Sequence, residues 1–346
     1  MKKIGSLQTL RLIGALSVFQ YHLWHNYLNH NFEDPGTDIF LVLTGMVAAI
    51  ADNRFISNGQ WGKYIWGRYL RLYVTFIPVF LIYVLAGRDV LTSEYVIRSF
   101  FLIPLYNQLP LVGPTWMVTM FLIFYWLFSL AILIRREQAL ILIFGLWGFG
   151  CILYLWLNME PDFHPEWIGT IFDIRNLELI FGYVAGKLIT TRRVTLKAGN
   201  WILLLGVAAL VGGVIRINTI DASLVVNERS FFYGIPMTLV AFGFATLEQR
   251  GSQNRLFQFF TSSWLVWLGG TSYVLFLIHN MILRVWDTVV PITVVQTPFI
   301  FAFVVIAAAL GYQYWEKPVL AYVHRKTQQH DLCVPGDEHA LQHDIE

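Results

Sequence analysis

The chain has 346 residues, of which 56% are hydrophobic, 16% aromatic and only 13% charged, against about 25% charged in an ordinary globular domain. That deficit recurs along nearly the whole length, which argues against a soluble globular class and for a polytopic membrane protein. The net charge of +2 comes without a basic stripe, so no nucleic-acid partner is expected, and the two cysteines, Cys151 and Cys333, are too few for a disulfide framework.

Crossing the hydrocarbon core takes about 20 apolar residues. Ten stretches qualify: 7–28, 37–53, 70–87, 114–134, 138–158, 176–190, 200–218, 231–247, 264–286 and 298–315. The expected fold is therefore all-α, with about ten transmembrane helices. Segment 95–112 is apolar but broken by Pro104 and Pro110, and is expected as a short or re-entrant helix covered by protein. The N-terminus superficially resembles a signal peptide, but Arg11 interrupts its apolar run and no small-residue cleavage site follows, so it reads as a retained helix. Residues 1–326 form one membrane-embedded domain. The polar segment 327–346 lacks apolar periodicity and is expected to be a disordered tail.

Lysine and arginine bias sets the orientation. With the N-terminus in the cytoplasm, ten alternating spans assign Lys2, Lys3, Arg54, Lys63, Arg68, Arg71, Arg135, Arg136, Lys187, Arg192, Arg193 and Lys197 to the cytoplasmic side. Arg250, Arg255, Lys317, Arg325 and Lys326 join them, against only Arg88, Arg98, Arg175 and Arg229 outside. Both termini are then cytoplasmic, the acidic loop 161–167 lies outside, and the tail lies inside.

The first span carries Arg11 and His22, eleven positions or about three helical turns apart, so both can face one cavity. Charge at membrane depth is expensive and marks functional sites by default, and histidine suits proton transfer. Spacing alone leaves two arrangements open: a polar path with His22 as general base, or an arginine and a histidine snorkelling to opposite interfaces. His25, three residues after His22, makes a His-x-x-His pattern, but no cluster completes a metal shell, so no metal is expected. Asp38 either orients an imidazole or simply favours a helix N-terminus. Arg68 and Arg71, one turn apart, either hold phosphate or follow the positive-inside bias. Glu178 enters a later span, and His279 shares a polar helix face with Ser272 and Tyr273.

Taken together, these segments resemble the membrane-bound acyltransferase-3 family, in particular its exopolysaccharide-acylating branch. LQTLRLIGALSVFQYH is similar to the family's opening, with Arg11 and His22 in its Arg-x10-His spacing. GTDIFLVLTGM resembles the next motif, with Thr44 and Met46 where Ser and Phe are usual. RYLRLY matches Arg-x-x-Arg through Arg68 and Arg71, and LELIFGYVAGKL, LGGTSYVLFLIHN and EKPV match later blocks in order. In GPTWMVTMFLIFYWLF, Trp116 and Tyr125 are kept, but Phe121 stands where a glutamate commonly follows the tryptophan by five positions. The role of that glutamate is then either dispensed with or passed to another residue such as Glu178, or activity is altered.

The resemblance implies transfer of an acyl group, usually acetyl, from cytoplasmic acyl-CoA to a hydroxyl of an exopolysaccharide or its lipid-linked precursor, at the bacterial inner membrane. No permanently bound cofactor is expected; acetyl-CoA, or another short acyl-CoA, enters as the donor. Arg68 and Arg71 would hold its phosphates. His22 would act as base on the acceptor hydroxyl or carry the acyl group itself, and Arg11 and Asp38 would complete the catalytic set. His279, Glu178, Trp116 and Tyr125 would support it. Expected partners are membrane lipid, the glycan acceptor and the polysaccharide synthesis machinery. Two rival classes share the pattern: a glycan transporter or flippase, disfavoured by the lack of paired inverted repeats, and an inactive scaffold, for which Phe121 is the one argument.

Overall fold

The computed structural model describes residues 4–30, 32–87, 91–104, 109–157, 166–191, 194–219 and 228–332, and every regular element among them is helical. In chain order these are α1 (Ser6–Tyr27), α2 (Gly36–Val47), α3 (Asn53–Asn58), α4 (Trp61–Gly87), α5 (Ser93–Phe100), α6 (Trp116–Ile134), α7 (Gln138–Leu157) and α8 (Glu166–Ile171). They continue as α9 (Asn176–Thr191), α10 (Leu196–Ile217), α11 (Ile235–Gln249), α12 (Arg255–Phe260), α13 (Ser263–Gly270), α14 (Ser272–Val289), α15 (Thr297–Gly311) and α16 (Lys317–Leu332). Three π-helical turns, Ala48–Asp52, Ser230–Gly234 and Tyr312–Glu316, join or precede these helices.

Among the described residues, six helical stretches are long and apolar enough to cross a membrane: Trp61–Gly87, Gly113–Ile134, Gln138–Leu157, Leu196–Ile217, Ser230–Gln249 and Val294–Val323. α13 and α14 make a seventh if taken together, bent by 57° between Gly270 and Ser272. The remaining three of the ten expected stretches are helical but fall short of that standard. α1 has the length, 22 residues, but carries Gln8, Arg11, Gln20 and His22. α2 has 12 residues before its π-helical turn, and α9 has 16. The apolar segment around 95–112 holds the short helix α5.

Packing explains this division. α1, α2 and α9 bury much of their surface, including Phe19, Leu41, Leu43 and Leu179, whereas α7 and α10 leave Ile141, Leu146, Leu204 and Ile215 exposed. A helix shielded by other helices has no need for a continuous apolar surface or full bilayer length. α2 and α9 meet backbone to backbone, as small residues permit in membrane bundles. A Cβ on Gly45 would fall 1.9 Å from the Leu179 carbonyl oxygen, and one on Gly182 would fall 1.9 Å from that of Val42.

α16 runs to Leu332, into the polar segment expected to be a tail. Residues 333–346, Cys333, Arg192, Arg193 and most of the acidic loop 161–167 lie outside the described residues. Cys151 is a free, buried thiol.

Candidate active site

Two polar centres lie along α1. The first is a cavity of about 60 Å³ where α1, α2, α4 and α6 meet the bend between α13 and α14. Arg11, Arg68, Arg71, Tyr125, Phe121 and Glu316 all line it. The arginines differ in their ties. Arg68 is ion-paired with Asp52, and its guanidinium lies 5.4 Å and 5.1 Å from the ring centres of Tyr64 and Tyr125. Gly59, at φ +62°, ends α3 and turns the chain into α4, so that Asp52 and Arg68 face each other. Arg11, half-buried, and Arg71, exposed, have no hydrogen bond or ion pair among the described residues. Glu316, buried in its π-helical turn, accepts a hydrogen bond of 2.7 Å from Thr75 Oγ1 and supplies the carboxylate of this cavity.

The second centre lies about three turns further along α1. The rings of His22 and His279 stack with centres 5.2 Å apart and planes 30° apart. Tyr21 packs edge-on against His22 and face-on against His25, with ring centres 5.3 Å and 5.0 Å away. α14 links the centres as α1 does: it begins at the cavity with Ser272 and Tyr273 and carries His279 two turns on.

Beside the histidines, the α1–α2 connection is held closed by a charged network. Asp38, fully buried, takes bidentate hydrogen bonds from Arg229, at 3.1 Å from Nε to each oxygen and 2.7 Å from Nη2 to Oδ2. Arg229 also pairs with Glu33 at 2.9 Å, reaches the Asp34 carbonyl and lies 5.2 Å from the centre of the Tyr233 ring. Ser17 Oγ donates to Asp34 at 2.7 Å, tying the connection back onto α1. Burial pushes the Asp34 carboxyl above its usual range, against hydrogen bonds from Ser17 and the Gly36 amide. Glu178, fully buried, accepts from Ser230 Oγ at 2.8 Å.

A family model described as an acyltransferase domain matches residues 4–312. The chain belongs to the acyltransferase-3 family. Comparison with curated proteins and with solved structures gives no match.

The structure of this membrane acyltransferase gathers Arg11, Arg68, Arg71 and Tyr125 at one centre and His22 and His279 at the other. It does not bring Asp38 to an imidazole: that carboxylate is committed to Arg229, because the α1–α2 connection folds beneath the guanidinium. Glu178 sits with Ser230 and does not line the arginine cavity. Trp116 also lies away from the cavity, under the guanidinium of Arg175 at 4.4 Å. Phe121 does face the cavity, so the departure from the family pattern falls within the site, and Glu316 from the EKPV block fills it with a carboxylate. Sequence reasoning missed Glu316 and Arg229 as organising residues. The EKPV block pointed to Glu316; Arg229 counted only as an outer-loop charge and gave no signal of its own.

Proposed function

We propose that this membrane acyltransferase is an O-acetyltransferase of the bacterial inner membrane. It takes an acetyl group from cytoplasmic acetyl-CoA and delivers it to a hydroxyl of a cell-surface polysaccharide or its lipid-linked precursor. Both termini are cytoplasmic, and the three central helices cross the membrane with the seven longer ones.

The observation that carries this reading is the cavity of Arg11, Arg71 and Glu316. Arg68 is neutralised by Asp52, so two free guanidinium groups face one carboxylate. The excess positive charge, on residues able to grip phosphate oxygens in pairs, suits the phosphates of coenzyme A. Arg71 and Arg11 are therefore the stronger donor anchors, and Arg68 shapes the wall through Tyr64 and Tyr125.

The donor then reaches along α1 to His22. As the acceptor hydroxyl oxygen bonds to the thioester carbon, His22 takes the hydroxyl proton. The carbon–sulfur bond breaks, and the leaving thiolate receives that proton as the base is restored. The test compares acyl content of the surface glycan in cells with and without the protein. Loss of acetyl groups on removal, restored by the wild-type chain but not by His22→Ala at equal membrane abundance, is expected. Unchanged acyl content on removal would defeat the proposal.

A further inference from the structure

With Asp38 committed to Arg229, the ring stacked on His22 is that of His279, with Tyr21 edge-on beside it. Its Nδ1 lies 3.1 Å from the Leu275 carbonyl oxygen. A carbonyl only accepts, so Nδ1 carries the proton and the lone pair sits on Nε2. His279 is 0% exposed, and its Nε2 has no hydrogen-bond partner among the described residues. Its other ring contacts, Phe19 and Phe276 at 6.1 Å and 6.2 Å, offer no donor. Buried acceptors are rarely left unused, and the ring stacked on this one belongs to His22. On its far side, His22 Nδ1 faces the exposed Asn26 amide nitrogen at 3.4 Å. An amide nitrogen donates, which leaves the His22 proton on Nε2.

We propose that His279 is the positioning residue of the transfer: its Nε2 lone pair accepts the Nε2–H of His22 once that ring turns edge-on, fixing His22 with its own lone pair on Nδ1. The acceptor hydroxyl replaces Asn26 at Nδ1, and His279 stabilises the imidazolium formed when Nδ1 takes the hydroxyl proton. The same proton leaves Nδ1 for the departing thiolate, so His279 gains and loses none. This inference rests on His22 being the base of the proposed reaction.

Release of coenzyme A thiol from acetyl-CoA in native membranes tests it. In His279→Phe and His279→Asn, which lack an acceptor where Nε2 sits, kcat should fall roughly 100-fold while KM for acetyl-CoA stays within about twofold. His279→Gln, whose amide oxygen reaches that place, should recover about tenfold of the loss. His22→Ala/His279→Asn should be no slower than His22→Ala alone, because His279 acts through His22. A Phe or Asn variant with wild-type kcat, a Gln variant no better than Phe, or a further loss in the double variant would overturn the assignment. A wild-type protein releasing no thiol would instead defeat the acyl-transfer reading, and this inference with it.

Discussion

Arg229 holds more of the network at the α1–α2 connection than any other side chain described. It satisfies Asp38, Glu33, the Asp34 carbonyl and Thr37 together, with its own side chain only 11% exposed. Removing one partner of such a buried pair typically costs about 3–5 kcal/mol, because the other charge stays buried and alone. Arg229→Leu should therefore lower the apparent melting temperature in detergent sharply, and Arg229→Leu/Asp38→Asn should regain part of the loss. A single variant that melts with the wild type would show that Asp38 finds other company. His22 and Arg11 were legible as candidates from the sequence, because charge in an apolar run stands out whatever the fold. Their partners are legible only in part: His279 reads as a supporter of His22 and does stack on it, but the partner of Asp38 does not show in the sequence. Asp38 and His22 are near neighbours in sequence, yet the carboxylate goes to Arg229, 191 positions away, and no local pattern encodes that pairing.

The three π-helical turns fall where the charged networks are. One ends in Asp52, which pairs with Arg68; one contains Ser230, which bonds Glu178; one ends in Glu316. Such turns are rare and concentrate at functional sites, and here each aims a polar side chain inward from an otherwise apolar helix. The α2–α9 contact depends on glycine for a different reason, the lack of room. Gly182→Ala would press a methyl group into the Val42 carbonyl, whereas Gly145, with nothing within 4 Å, has space for one. Gly182→Ala should lower the yield of folded protein in the membrane. Gly145→Ala should leave it unchanged or raise stability by about 0.5–1 kcal/mol, the usual helical gain over glycine. Equal yields of folded protein for the two variants would contradict the packing argument. All ten hydrophobic stretches could be read from the chain as helices, but a window of sequence does not say which helices are central. That is why α1, α2 and α9 looked like ordinary spans and proved shorter or more polar.

At the scale of the whole molecule, α1 and α14 both run from the arginine cavity to the histidine pair, so donor anchor and proposed base are about 16 Å apart along α1. Acyl-CoA is available on the cytoplasmic side, so the proposed donor path requires the cavity to open there. Reporter fusions test this: a fusion following Lys326 should report the cytoplasmic side, and one within the loop 161–165 the opposite side. A C-terminal reporter active outside would reverse the donor path.

The separation of the two centres also predicts how their variants divide kinetically. Steady-state acetyl transfer from labelled acetyl-CoA in native membranes, comparing Arg71→Ala with His22→Ala, tests this most directly. Arg71→Ala should raise KM for acetyl-CoA by about tenfold with little change in kcat, as loss of one phosphate contact would. His22→Ala should lower kcat by roughly 100-fold or more with KM nearly unchanged. Wild-type kcat in His22→Ala, or an unaltered KM in Arg71→Ala, would contradict the assignment of donor binding to one centre and chemistry to the other.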